Sequence, residues 1–257
     1  GYPMVTGFER AVRVLSGVAD AYLTHDRPIV NRCDDSVVRD GHLIRLSRGY
    51  APLRTPIDLG DRCLLGVGPE LSSNATIYRD GHAVTSPHVG NVRNPETLAY
   101  LVETIEKLGD WLGARYDAVV HDLHPQFLST RYARELAGEL GVPTIPVQHH
   151  RAHIASVTRE PCIGIAIDGV GYGDDGTVWG GEVFAGAVPD LVRVAHLEPV
   201  PMPGGDLATR FPERMLYGIL PEDRVQDLLA RRGWTDLERD LLARQTARRV
   251  NAPLTTS

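Results

Sequence analysis

The chain has 257 residues, 42% of them hydrophobic, and a formal net charge of −6 at pH 7. That length holds one large domain or two small ones with an ample core, and the acidic balance gives no reason to expect nonspecific nucleic-acid binding. Three cysteines, Cys33, Cys63 and Cys162, lie far apart with no Cys-x-x-Cys pair, which argues against a disulfide scaffold or a zinc finger and for a reducing cytoplasm.

The N-terminal stretch has no basic region leading into an apolar one, and no apolar run reaches membrane-spanning length. The chain opens without an initiator Met and closes on Pro253-Leu254-Thr255-Thr256-Ser257, so both ends are expected to be cuts in something longer.

Phe8, Val12, Leu15, Val18, Ala19 and Tyr22 recur at helical spacing and predict an amphipathic helix from Phe8 to Leu23. A short strand is expected at Ile29-Val30-Asn31, then a hairpin of residues 34–39 and 42–46 turned at Asp40-Gly41. Ser47 to Leu59, with prolines at 52 and 56, reads as an interdomain linker. What precedes it is too short to bury a core alone.

A strand at 63–68 and a hairpin around Arg79-Asp80-Gly81 follow. Asn94-Pro95-Glu96 has the form of a helix start, with Leu98, Leu101, Ile105, Leu108 and Leu112 along one stripe and Gly113 as the stop. Ala118 to Asp122 is a buried-type strand, Tyr132 to Leu140 a helix ending at Gly141, and Pro143 to Val147 another strand. Then come a histidine helix, a strand at 163–168, a glycine-rich turn, a strand from 178 to 187 and one at 191–197. Helices are expected at 208–218, 222–232 and 236–247. The order is that of an α/β fold, and strand–glycine–strand occurs at both 63–78 and 163–185, as in two related lobes facing a cleft.

Val147 to Glu182 carries the chemistry. His149 and His153 are spaced i,i+4 and project from one helix face, where they can grip one metal ion. Asp168 ends the apolar run 163–167, and two His plus one Asp suit zinc or iron(II) with open positions for a reactant. His150, i,i+3 to His153, stands as an alternative ligand or a neighbour of the site. Gly169, Gly171 and Gly173 form no Walker loop, but their amides in a turn could meet phosphate oxygens. Gly204-Gly205-Asp206 could do the same, and Asp122-Leu123-His124 at a strand end could orient a substrate or a ligand. Each of these last three also reads as an ordinary turn.

Taken in order, HDRPIVNRCDDSVVR, RLSRGYAP, HDLHPQFLSTRYA, VQHHRAHIASV, AIDGVGYGDDGTVWGGE and PMPGGDLA resemble the HypF-type carbamoyltransferases of [NiFe]-hydrogenase maturation over nearly the whole chain. The resemblance implies an actin/hexokinase-like (ASKHA), TsaD-like two-lobe fold, preceded by the tail of a YrdC-like domain. On it, residues 1–55 are that tail with its linker, 60–160 the first lobe and 161–257 an incomplete second lobe.

It further implies metal ligands at His149, His153 and Asp168, with catalytic parts for Asp168 and His124. Nucleotide contacts fall at Gly169, Gly171, Gly173, Gly204 and Gly205. The implied reaction passes a carbamoyl group from carbamoyl-adenylate, made from ATP and carbamoyl phosphate, to the C-terminal cysteine of a HypE-like acceptor. No nucleic-acid or membrane partner is implied, and the place is the cytoplasm.

Two positions depart from the family pattern: Ser72 stands where Glu-Leu-Lys has its lysine, and Asn91 replaces the aspartate of His-Ile-Gly-Asp. Loss of a lysine near phosphates would weaken charge stabilisation. The other readings weighed are an O-carbamoyltransferase of natural-product assembly, disfavoured by domain order, threonylcarbamoyl transfer to tRNA, and an inactive remnant that binds metal or nucleotide.

Overall fold

The structure, a computed structural model, describes residues 5–257. In chain order its elements are α1 (Phe8–Leu15), β1 (Val37–Arg39), β2 (His42–Arg45), β3 (Leu53–Pro56), β4 (Leu64–Val67), β5 (Ala75–Arg79), β6 (His82–Thr85), α2 (Pro95–Leu112), β7 (Ala118–Asp122), α3 (Leu128–Leu140), β8 (Thr144–Val147) and α4 (His149–Val157). There follow β9 (Cys162–Tyr172), β10 (Val178–Gly186), β11 (Val192–His196), β12 (Val200–Pro201), α5 (Leu207–Arg210), a 3₁₀ turn (Pro212–Met215), α6 (Leu216–Ile219), α7 (Glu222–Arg231), α8 (Asp236–Arg248) and β13 (Leu254–Thr255). Contacts divide the chain into two compact units, Gly1–Cys63 with Leu71–Arg115, and Leu64–Glu70 with Tyr116–Ser257.

In the first unit β5 pairs antiparallel with β6, and β6 with β3. The β5–β6 hairpin turns on Asp80 and Gly81, at φ 49° and 74°, which fits the left-handed pair of a tight two-residue turn. Helix α2 starts where Asn94 accepts the Thr97 N–H through Oδ1 at 3.0 Å, with Pro95 inside the first turn, and stops at Gly113 in the left-handed region, φ 59°. Its stripe of Leu101, Ile105 and Leu108 is buried, and α2 packs against β5, where Ala75 and Ile77 are buried as well.

Three expectations in this unit are corrected. The first helix ends at Leu15, because Ser16 is extended and Gly17 sits at φ 80°. Ile29-Val30-Asn31 forms no strand: side chains of α2 take the nearby carbonyls, Lys107 that of Val30 and the Tyr100 hydroxyl that of Arg32. The stretch read as a linker contributes β3, which pairs with β6 from Leu53↔Thr85 to Pro56↔His82. Its proline is tolerated because β3 pairs with β6 on one side only.

The second unit begins with parallel strands β4, β7 and β8, with α3 crossing from β7 to β8. Pairing of Asp122 with Val147 sets the ends of β7 and β8 side by side. The chain then turns through Gln148, whose side chain accepts the Arg151 N–H at 3.0 Å, and enters α4. Next, β9 and β10 make a long antiparallel hairpin, flanked by β11 and by β13 with β12.

No turn follows Asp168: β9 runs on through the glycines to Tyr172, and the reversal comes at residues 173–177. Glycine adopts extended backbone freely when a partner strand holds it, and β10 does so, with a register shift between Trp179 and Gly181. Helix α3 starts four residues earlier than expected, at Leu128 rather than Tyr132. The single helix expected at 208–218 is broken into α5, the 3₁₀ turn and α6, because Pro212 cannot continue α5.

The core of this unit gathers Ile154, Ala166, Trp179, Phe184 and Leu191, and a second cluster of Val225, Leu229 and Leu242 holds α7 and α8 together. Among the described residues, no helix is long and apolar enough to cross a membrane.

Candidate metal centre

Helix α4 lies on β9 by its buried residues His150 and Ile154, and two glycines of β9 make room for them. A Cβ at Gly164 would come within 2.6 Å of Ile154 Cδ1, and one at Gly171 within 2.3 Å of His150 Cε1. Asp168 sits on β9 between these two seats. With His150 and Ile154 turned to the strand, His149 and His153 come round to the side on which the Asp168 carboxylate emerges. Ligand atoms of His149, His153 and Asp168 all lie within 4.8 Å of one another.

The distances define a small pocket of donors. Asp168 Oδ2 is 3.1 Å from His149 Nε2 and 3.6 Å from His153 Nε2, and the two Nε2 atoms are 3.2 Å apart. His149 Nδ1–H donates to Asp122 Oδ2 at 2.7 Å. The parallel register explains that bond, since Asp122 stands beside Val147, two residues before His149. The Asp122 side chain is 6% exposed, and its other oxygen accepts the His124 N–H at 2.8 Å.

The electrostatics follow. Hydrogen bonds from the His149 ring to Asp122 and then to Asp168 raise its pKa from 6.5 to about 9, against the opposing effect of burial. The His149 hydrogen bond, followed by the Gly169 amide, holds Asp168 down at about 2.

Two imidazole nitrogens and a carboxylate on one side of an ion make the two-His, one-carboxylate set used for zinc and for non-haem iron(II), with further positions open. A carboxylate on the far nitrogen of a ligating histidine is the usual outer partner of such sites. The residues present therefore fit a divalent metal. His153 and Asp168 keep 55% and 30% of their side-chain surface exposed, so the set opens toward solvent on that side.

His150 is placed differently from the pair. Its ring is fully buried against Gly171, and its Nδ1 accepts from Gln148 Nε2 at 3.1 Å. Gln148 Nε2 also donates to the Tyr172 carbonyl. Burial lowers the His150 pKa, so the ring is neutral. His150 is not among the gathered donors.

His124 stacks on Phe127, ring centroids 4.0 Å apart, and meets Tyr172 edge-on at 5.2 Å. Burial lowers its pKa. Its Nδ1 accepts the Gln126 N–H at 3.2 Å, which leaves Nε2 to carry the proton of the neutral ring.

The glycines are occupied by the chain itself. Gly169 N–H donates to Asp168 Oδ1 at 2.7 Å, and Gly173 N–H to the Thr177 carbonyl at 2.9 Å. Gly173 admits the Trp179 ring, where a Cβ would lie 2.2 Å from Nε1. Gly204 and Gly205 have φ 91° and 53°, and their amides bind Asn251 O and Met202 O. The Arg214 guanidinium fills the space beside Gly204.

The sequence pairs the three donors that the structure gathers but leaves Asp122 as one of several turn candidates. The signal that could have singled it out is the parallel pairing of the strand ends preceding His124 and His149.

Comparison with known proteins gives the class of this parallel-stranded α/β unit and its long hairpin as a Kae1-like domain. Residues 60–160 match the HypF Kae1-like domain, and residues 164–257 the second subdomain of the Kae1-like domain of carbamoyltransferases. Over its whole length the chain is 42% identical to carbamoyltransferase HypF2 of Cupriavidus necator and 39% identical to the probable carbamoyltransferase HypF of Methanocaldococcus jannaschii, covering 33% and 36% of them.

All of it also aligns with the crystal structure of T. kodakarensis HypF, at TM-score 0.89 and 38% identity, covering 37% of that chain. It aligns as well with full-length HypF in its phosphate- and nucleotide-bound form, at TM-score 0.88 and 32% identity, covering 35% of that chain. The chain belongs to the HypF carbamoyltransferase family, and it spans about a third of the length of these relatives.

Proposed function

We propose that this chain is the metal-bearing transfer region of a HypF carbamoyltransferase. It holds one divalent ion, iron or zinc, at His149, His153 and Asp168. It serves transfer of a carbamoyl group from carbamoyl-adenylate to the C-terminal cysteine of a HypE-like acceptor. The observation that carries this reading is the convergence of those donors within 4.8 Å in a chain of the HypF family. ATP and carbamoyl phosphate are the sources of the adenylate, and residues 1–55 are the tail of the YrdC-like domain that makes it.

In the transfer, the cysteine sulfur attacks the carbamoyl carbon. A carbon–sulfur bond forms, the carbon–oxygen bond to the phosphate of AMP breaks, and AMP leaves with that electron pair while a base takes the thiol proton. A bound divalent ion supplies Lewis acidity to a carbonyl or phosphate oxygen.

The chain's own groups do the rest. Asp122 keeps the His149 ring in place, and Asp168 contributes the negative charge of the donor set. His124, neutral and with its proton on Nε2, donates a hydrogen bond to a substrate oxygen rather than acting as the base. Gly169, where an added Cβ would meet nothing within 4 Å, leaves room for the nucleotide phosphate beside Asp168.

The test is mass spectrometry of a peptide ending in the acceptor cysteine, incubated with carbamoyl-adenylate and the metal-loaded protein. One carbamoyl group is expected on the cysteine, with His149→Ala abolishing it. A loaded protein that leaves the peptide unmodified overturns the transfer reading in favour of a remnant that only binds.

A further inference from the structure

Asp122 is bonded through both carboxylate oxygens, to groups on two different segments. Oδ2 accepts from His149 Nδ1 at 2.7 Å, and Oδ1 accepts the backbone N–H of His124 at 2.8 Å. The side chain is nearly buried, at 6% exposure, and its own carbonyl takes the Thr130 hydroxyl. Both partners are donors, so this position requires two acceptor oxygens side by side. Only an ionised carboxylate provides them.

We propose that Asp122 is a positioning residue for the metal centre. By holding a proton of His149 on Nδ1, it leaves Nε2, on the side of His153 and Asp168, as the nitrogen that gives up its proton to an ion. Through the same carboxylate it ties the loop that carries His124 to the metal helix. The inference rests on the metal reading of His149, His153 and Asp168, and goes beyond it by assigning a fourth residue that touches no ion.

The tautomer argument yields a specific outcome for asparagine. If Asp122→Asn keeps its oxygen on the His124 N–H, its NH₂ faces His149 Nδ1 and can only donate. The ring then carries its proton on Nε2, and the lone pair needed for an ion is gone. If the amide is flipped, its NH₂ confronts the His124 N–H, donor against donor, and the loop is released. Asp122→Ala imposes neither constraint, and its histidine is free to take either tautomer.

The experiment is a titration of Zn²⁺ into protein stripped of metal, for wild type, Asp122→Asn and Asp122→Ala, with thermal unfolding run alongside. Asp122→Asn is expected to lose about 10- to 100-fold in zinc affinity, in the range for outer partners of ligating histidines. Asp122→Ala is expected to bind more tightly than Asp122→Asn, although it has lost more hydrogen bonds.

A merely structural role gives the reverse order, with alanine the worse in both affinity and unfolding temperature. In the zinc-loaded wild type, ¹⁵N spectra should show His149 protonated at Nδ1 and ligating through Nε2. Equal zinc affinity in wild type and Asp122→Asn, or ligation through Nδ1, overturns the proposal while leaving the metal reading intact. A wild-type chain that takes up no zinc overturns both. Should Asp122→Asn unfold, the test rests on the ¹⁵N spectrum of the zinc-loaded wild type, where ligation through Nε2 with Nδ1 protonated supports the proposal and ligation through Nδ1 overturns it.

Discussion

His149 lies between two carboxylates, Asp122 on Nδ1 and Asp168 on Nε2. Without metal, a proton on Nε2 occupies the place an ion would take, and the two carboxylates raise the His149 pKa to about 9. Linkage fixes the sign of its effect on stability. A raised histidine pKa contributes stability that is fully present below 6.5 and is lost as pH rises through about 9. Asp168, depressed from 3.8 to about 2, contributes stability present above 3.8 and lost as pH falls toward 2. Metal-free protein should therefore show its highest unfolding temperature on this account between those windows, with a decline from pH 6.5 to 9.

Zinc must displace the His149 proton, so its apparent affinity should rise across that alkaline range and binding should release a proton. Calorimetry in buffers of different ionisation enthalpy reads this directly, and a pH-independent affinity with no proton release would contradict it. At this scale the i,i+4 pair and its aspartate were legible in the sequence, because ligand chemistry and helical spacing are local. The role of Asp122 was not, since it depends on which strands lie side by side.

Glycines at the element scale serve packing. Gly171 gives His150 its seat, and a Cβ there would lie 2.3 Å from a ring atom that cannot fold away. Gly171→Ala should cost about 1–3 kcal/mol by overpacking, visible as a lower unfolding temperature, and should weaken zinc binding by tilting α4. An unchanged melt would show that the helix is seated otherwise.

The run of glycines after Asp168 was read as a turn because glycine composition alone cannot distinguish a turn from a strand that others pack against closely. Caps, by contrast, were readable: Asn94-Pro95 and Gly113 bound α2 as their chemistry requires.

Ser72 and Asn91, the two positions where the resemblance implies a departure from the family pattern, are bonded to each other. Ser72, at φ 48°, donates its N–H to Asn91 Oδ1 at 3.0 Å. Ser72→Lys and Asn91→Asp should therefore be non-additive in unfolding free energy, by about 0.5–3 kcal/mol, the range for residues in contact. Strict additivity in a double-mutant cycle would separate the two positions.

At the scale of the whole molecule, the α/β class and element order followed from periodicity and turn chemistry. The edge strand β3 was missed because prolines usually mark linkers. The small strands β12 and β13 were missed because two residues carry no periodicity. β9 exposes Ile163, Ile165 and Ile167 at 77%, 68% and 86%, beside Val157 at 84%. A contiguous apolar strip of this kind favours self-association. Ile165→Lys should raise the concentration at which the protein scatters light without lowering its unfolding temperature, and an unchanged threshold would show that the strip is not what associates.

The claim on which the account turns is that one ion sits on His149, His153 and Asp168. X-ray absorption of zinc-loaded protein, with the bound metal counted, tests it most directly. The account predicts one zinc per chain with two histidine nitrogens at about 2.0–2.1 Å, and no bound zinc in a variant with both His149→Ala and His153→Ala. Zinc retained by that double variant at wild-type stoichiometry, or a first shell without histidine nitrogen, would contradict it.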